Sequence, residues 1–367
     1  MQISLFASLL TALLSLTLWP IAPLQAATPA DRLERTAPEA VGFDPQALAE
    51  LEAYLAEHGS SAMLLMRSGK VFFEFGDIHQ PLLAHSMRKA LLNSVVGIAV
   101  GEGALDLDAT LGELDVESLG VTLIDTERTA TFADVLKSRS GVYLPAAAET
   151  EGMAAGRPAR GSHAPGTHYY YNNWDFNAAG AIYEVQSRQG LFEAFEAQIA
   201  EPLGMNWRAS VRTLELPRDE AATLDDDTAF YQYERALSPF PAYHFRISAH
   251  DLALYGQLML QRGAWEGQQL VPADWVELST QPYSIRNAEW DLAYGMLWYV
   301  LIPDEGATAP PSFYHTGVGI HMLGIYPSLD LVMVHRVNTE ADYTFHGGNL
   351  VSVIRLMHGA RNTTAAE

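Results

Sequence analysis

The 367-residue chain contains no cysteine, which excludes disulfides, thiolate nucleophiles and thiolate metal sites. Lysine is almost missing too: Lys70, Lys89 and Lys137 are the three in the chain. Positive charge is scarce overall, with 22 Lys+Arg against 44 Asp+Glu and a formal charge of −22. Such a chain repels phosphate backbones and anionic lipid, so nucleic acid and acidic membrane surfaces are poor partners. Past the N-terminus no apolar run is long enough to span a bilayer. The 12 histidines include no His-Glu-x-x-His run and no compact cluster with carboxylates, so no metal or other cofactor is expected. Internal repeats are absent, and the main biased segment is the small-residue run 145–156.

What is present begins with an apolar leader. Residues 3–21 are apolar or small, and Pro23-Leu24-Gln25-Ala26-Ala27 offers a small-residue cleavage site. This reads as a signal peptide over residues 1–26, giving a secreted or periplasmic protein with no membrane partner after removal. Its n-region has no Lys or Arg, and an uncleaved membrane anchor is the alternative. With 49% hydrophobic residues, the rest can bury a large core or two joined subdomains.

Asp44-Pro45 starts a helix, and Leu48, Leu51 and Leu55 form its apolar stripe. Segments 62–66 and 71–75 flank Arg67-Ser68-Gly69-Lys70 as a hairpin. Helices follow at 86–100, from the capping-box pattern Thr131-Phe132-Ala133-Asp134, at 174–186 and at 248–261. Strands return at 297–301, 322–326 and 331–337, before a last helix over 345–357. The order implies a discontinuous α/β domain, residues 27–85 and 291–367, with a mostly helical domain, 86–290, inserted. The expected site is the cleft between them.

Three clusters carry candidate chemistry. In Ser86-Met87-Arg88-Lys89, helical spacing brings the lysine amine to the serine hydroxyl. A serine needs a base, and a lysine can serve if burial and a positive neighbour lower its pKa. The start of a helix also presents backbone N–H groups to an oxyanion. In Tyr171-Asn172-Asn173, a phenol beside the lysine could lose its proton more easily, and Asn173 could hold the lysine and orient a substrate amide. In His315-Thr316-Gly317, donors would line a strand edge that glycine leaves open to a substrate. The Val318 N–H could complete an oxyanion hole with that of Ser86.

Together, in this order, these clusters resemble the penicillin-recognising serine hydrolases: class C β-lactamases, penicillin-binding DD-peptidases and related esterases. That family carries Ser-x-x-Lys, Tyr-x-Asn and Lys/His-Thr-Gly, matched here by Ser86/Lys89, Tyr171/Asn173 and His315/Thr316/Gly317. Asp134-Val135-Leu136 with Ser140-Gly141, and Pro165-Gly166 before Tyr171, add to the likeness, which covers about residues 40–358. The run Tyr171-Asn172-Asn173-Trp174-Asp175-Phe176-Asn177 is similar to the branch of 6-aminohexanoate-dimer hydrolase and its esterase relatives.

The resemblance implies a β-lactamase/transpeptidase-like α/β (α+β) fold, an antiparallel sheet flanked by helices with the helical domain inserted. It also implies acyl transfer through Ser86, Lys89 and Tyr171 without a cofactor, with Asn173, His315, Thr316, Gly317 and Val318 binding substrate. Position 315 departs from the β-lactamase pattern, because a histidine is largely neutral at pH 7 where a lysine would be a fixed cation. The expected substrate is therefore a small-molecule ester or amide. β-Lactamase or DD-peptidase activity, and a catalytically silent binding protein of the same fold, are the alternatives.

Overall fold

The computed structural model describes residues 31–220, 222–224 and 227–362; the expected leader, 1–26, lies outside them. A nine-stranded sheet organises the chain. Its strands are β1 (Glu34–Arg35), β2 (Ala62–Arg67), β3 (Lys70–Gly76), β4 (Ser284–Asn287), β5 (Leu292–Tyr294), β6 (Tyr299–Leu301), β7 (Phe313–Gly317), β8 (His321–Tyr326) and β9 (Leu331–Arg336). Across the sheet the order is β1-β3-β2-β9-β8-β7-β6-β5-β4. β1 is parallel to β3, and the other neighbours are antiparallel. The β2–β3 hairpin turns through Ser68 and Gly69, both at positive φ (52° and 74°), a turn whose twist matches that of the strands.

The principal helices are α1 (Pro45–Glu57), α2 (Arg88–Gly101), α3 (Asn173–Ser187), α4 (Ala249–Leu260) and α5 (Gly347–Gly359). Asp44 caps α1 by accepting the Gln46 N–H at 2.9 Å. The Thr131/Asp134 capping box forms, but its helix is short, Phe132–Leu136. Alternate side chains of the central strands feed two cores. Leu64, Met66, Val332 and Val334 join one with apolar residues of α2 and α4, while Met63, Leu65, Leu331 and Met333 join the other with those of α1 and α5. The sheet is thus covered on both faces, which is why its central strands read as near-continuous apolar runs.

Two features differ from the sequence reading. The layer built on the sheet takes in more of the chain than 27–85 and 291–367, because β4 begins at Ser284 and α4 lies across β2, β8 and β9. α4 is buried around its circumference, so its pattern alone does not tell which layer it covers. The middle is also less helical than expected. It contains a second, four-stranded sheet in the order Leu82–Leu83, Ala242–Ile247, Ala229–Tyr233, Val211–Glu215. The first of these strands leads straight to Ser86.

α2 runs through the larger core with 12 of its residues buried. At Gly97 it meets Trp275, and a Cβ there would lie 2.1 Å from the indole Cδ1. The Trp275 Nε1–H donates to the Asn93 carbonyl at 2.9 Å and fixes the ring. Gly97→Ala should cost about 1–3 kcal/mol through overpacking, read as a lowered Tm. A Tm at or above that of the parent protein would contradict this contact.

Candidate active site

Ser86 lies in a single 3-10 turn, His85–Met87, that runs directly into α2. The turn is pinned by two backbone bonds, Ala84 N–H to the Phe245 carbonyl (2.8 Å) and Met87 N–H to the Ala84 carbonyl (3.2 Å). His85 is left-handed, with φ +49°, a conformation that costs a non-glycine residue about 1–3 kcal/mol. Its side chain is held: Nε2 pairs with the Thr339 hydroxyl at 2.8 Å, and the ring stacks on His321 at 5.5 Å. Burial, together with the nearby Arg336, Lys89 and Arg88, pushes the His85 imidazole down to about 4, so it is neutral at pH 7.

Gly317 on β7 explains how the turn sits so close to the sheet. A Cβ there would stand 2.5 Å from the Ala84 carbonyl oxygen and 3.1 Å from the His85 Cβ. The space of the missing side chain is filled by the Ser86 turn itself, rather than left open to a substrate backbone as the sequence suggested.

Lys89 Nζ is 2.9 Å from Ser86 Oγ. The lysine is 1% exposed, and its amine lies 4.8 Å from the Tyr171 ring centre and 4.6 Å from that of Phe176. Ring faces favour an ammonium by about 0.5–2 kcal/mol. Two larger effects oppose it: removal from water and the adjacent Arg88 cation hold the amine well below the ordinary lysine value. Arg88 is itself buried; its Nη2 donates to Asn177 Oδ1 at 2.8 Å and its guanidinium covers the Tyr243 ring at 4.2 Å. Among the described residues, neither Lys89 nor Arg88 forms an ion pair with a carboxylate.

The Tyr171 hydroxyl is directed at the hydroxyls of Ser86 and Tyr299. Burial pushes its pKa up, the reverse of the gain in acidity expected beside an ammonium. Removal of the phenol from water outweighs the pull of the nearby Arg88 cation. Asn173 does not hold the lysine. Its Nδ2 donates to the Ala148 carbonyl at 2.6 Å, while Oδ1 is buried without a partner. That orphan acceptor is available to a substrate N–H.

His315 is fully buried. Its Nδ1 is 2.8 Å from the Thr316 carbonyl, which selects the tautomer protonated there. Its Nε2 has no partner. Burial and Lys89 hold the ring well below the ordinary histidine value, so it supplies no cation. Strand alternation sends Thr316 to the opposite face from His315, where it borders a separate groove; the two do not line one edge as expected. Val318 is in the turn after β7 with its side chain 46% exposed.

The sequence reading passed over the frame behind these groups. The Ser138 hydroxyl donates to the Tyr170 carbonyl (2.6 Å) and accepts the Asn172 N–H (3.0 Å), fixing the backbone on both sides of Tyr171. Asn172 caps α3 by accepting the Trp174 N–H at 3.1 Å. The buried Asp175 receives the Ser140 hydroxyl and the Asn172 amide. The signal was there, in an Asn-Asn-x-Asp-x-Asn run along one otherwise apolar helix, where polar groups must have partners.

A beta-lactamase family profile matches residues 81–350. Among solved structures, the fold superposes on a Bacillus anthracis protein assigned as a 6-aminohexanoate-dimer hydrolase (TM-score 0.63, 18% identity, 89% of this chain and 86% of that one). It also superposes on the octameric penicillin-binding protein homologue of Pyrococcus abyssi (TM-score 0.61, 18% identity, 86% and 78%). A family VIII carboxylesterase is similar as well (TM-score 0.59, 14% identity, 87% and 98%). At these identities the likeness is one of fold.

Gly317→Ala should leave a folded protein but push the Ser86 turn out of place. Displacements of about 1 Å can cost about 100-fold in rate, so fluorophosphonate labelling of Ser86 should slow by that order. Labelling at the parent rate would mean that β7 does not set the turn.

Proposed function

The chain belongs to the beta-lactamase family, and from that membership and the site geometry we propose a serine hydrolase that cleaves a small ester or amide through an acyl-enzyme. One observation carries the reading. Lys89 Nζ stands 2.9 Å from Ser86 Oγ, buried beside Arg88. An amine kept neutral there is a base ready to take the serine proton.

In the proposed sequence, Ser86 Oγ attacks the carbonyl carbon and its proton passes to Lys89 Nζ. The carbonyl oxygen, now an anion, is held by the N–H groups of Ser86 and Val318. As the tetrahedral species collapses, the leaving oxygen or nitrogen takes a proton from the Tyr171 phenol, which Lys89 replenishes. Water then attacks the acyl carbon, giving its proton to the same amine, and Ser86 is restored. Burial keeps Tyr171 protonated, which suits it to donate rather than to abstract. Asn173 Oδ1 is placed to accept a substrate N–H. His315, buried and neutral, shapes the wall without binding an anion, which favours simple esters and amides over penicillin-like carboxylates. The proposal includes export by the apolar leader.

Ser86→Ala should abolish both p-nitrophenyl ester hydrolysis and fluorophosphonate labelling; labelling that persists at the full level rejects the assignment. The rate should rise with pH as Lys89 gives up its proton, with a midpoint well below the ordinary lysine value of 10.5. Arg88→Met removes the neighbouring cation, so the protonated amine is penalised less and its pKa rises. The rising limb of kcat/KM should then move to higher pH in a variant shown folded by circular dichroism. A limb that stays in place would remove Arg88 from this role.

A further inference from the structure

Behind the site, between the sheet and α5, lies a groove of about 290 Å³. Two residues connect it to the surroundings of Ser86. Thr316 follows His315 on β7, and Tyr299 stacks on Tyr171 with ring centres 5.9 Å apart. Leu301 from the sheet and Leu350 and Ile354 from α5 make its walls apolar. At its mouth stand Arg286 and Trp290, the latter 63% exposed.

Arg286 is the unusual member. The chain has 44 acidic side chains and 22 basic ones, so a free acid is available to most cations. Among the described residues Arg286 nonetheless makes no ion pair. Its guanidinium covers the Tyr299 ring at 4.8 Å, and the neutral phenols of Tyr299, Tyr169, Tyr314 and Tyr171 are near it. The Tyr169 hydroxyl beside it is buried with no partner. His358, which also borders the groove, is held below its ordinary pKa by burial and by Arg361, so it adds no second cation at neutral pH. The result is a largely apolar groove bordered by one cation that has no acidic partner among the described residues.

We infer that this groove binds an apolar chain ending in a carboxylate, the chain lying between the sheet and α5 and the carboxylate on Arg286. A short aliphatic tail matches the walls, and the planar guanidinium matches a carboxylate in two-point contact. Reached past Tyr299, which stacks on Tyr171, the groove takes the end of a substrate remote from its reacting carbonyl. Only that last point rests on the hydrolase reading; the binding itself requires no turnover.

The test uses the full chain carrying Ser86→Ala, titrated calorimetrically with octanoate and with octanol. Octanoate should bind saturably and about tenfold or more tighter than octanol, the worth of a charge-assisted contact. Adding Arg286→Gln should weaken octanoate about tenfold, to the level of octanol, and leave octanol unchanged. Adding Ile354→Trp, which fills the groove, should remove both, with each variant's melting curve checked to show that it is folded. Absent octanoate binding, equal affinity for the two probes, indifference to Arg286→Gln, or binding that survives Ile354→Trp in a folded protein would each overturn the inference. These outcomes are separate from the fate of the hydrolase reading, which turns on Ser86 labelling. If both hold, p-nitrophenyl monoesters of suberic acid should be cleaved with a lower KM than octanoate esters, and Arg286→Gln should erase that difference.

Discussion

Two adjacent basic side chains, Arg88 and Lys89, are buried in the first turn of α2, and among the described residues no carboxylate is paired with either. Taking such charges from water costs several kcal/mol each, and much of the surrounding structure can be understood as the response. Arg88 keeps its charge by donating to Asn177 and covering the Tyr243 ring. Lys89, with the Tyr171 and Phe176 rings at its flanks, cannot also stay charged cheaply. The guanidinium, with the far higher intrinsic pKa, is the better placed of the two to remain the cation, and its charge helps to lower the pKa of its neighbour.

That difference needs a rigid surround, because a lysine free to swing would reach water and regain its proton. α3 provides one wall. Its first turn is fixed by hydrogen bonds of Asn172, Asp175 and Ser138, which position the backbone beside Tyr171. β7 provides another, drawn against residues 84–85 by the bare Cα of Gly317. The cost is visible at His85, whose left-handed backbone is retained because its ring is held by Thr339 and His321.

How much of this could be read from the sequence depends on the range of the interaction. The α1 cap, the β2–β3 hairpin and the α2 run are local, and residues 44–100 declared them through Asp44, Ser68-Gly69 and an apolar helical stretch. Ser86 and Lys89 were legible for the same reason, since three-residue spacing on a helix fixes their proximity. Non-local facts were not. Nothing near Thr339 in the chain announces that it meets His85, 254 residues away. The strands Val211–Glu215 and Ala229–Tyr233 pair in parallel through a connection that carries no hairpin signal. Likewise the shift of Tyr171 was misjudged, because an acidity set by burial depends on which side chains close over the ring.

Arg336 ends β9, near the last part of the chain, and is fully buried. Its guanidinium donates to the carbonyls of Leu82 and Ile247, at 2.7 and 2.5 Å, and its Nε to His321 at 3.2 Å. One side chain thus ties the main sheet to both strands that present residues 84–87. During synthesis the segment with Ser86 emerges early, yet the group that anchors its flanks arrives some 250 residues later. A growing chain can hold the serine and the lysine long before it holds them in register. The setting of Ser86 and Lys89 against the main sheet thus depends on a residue far along the chain from both.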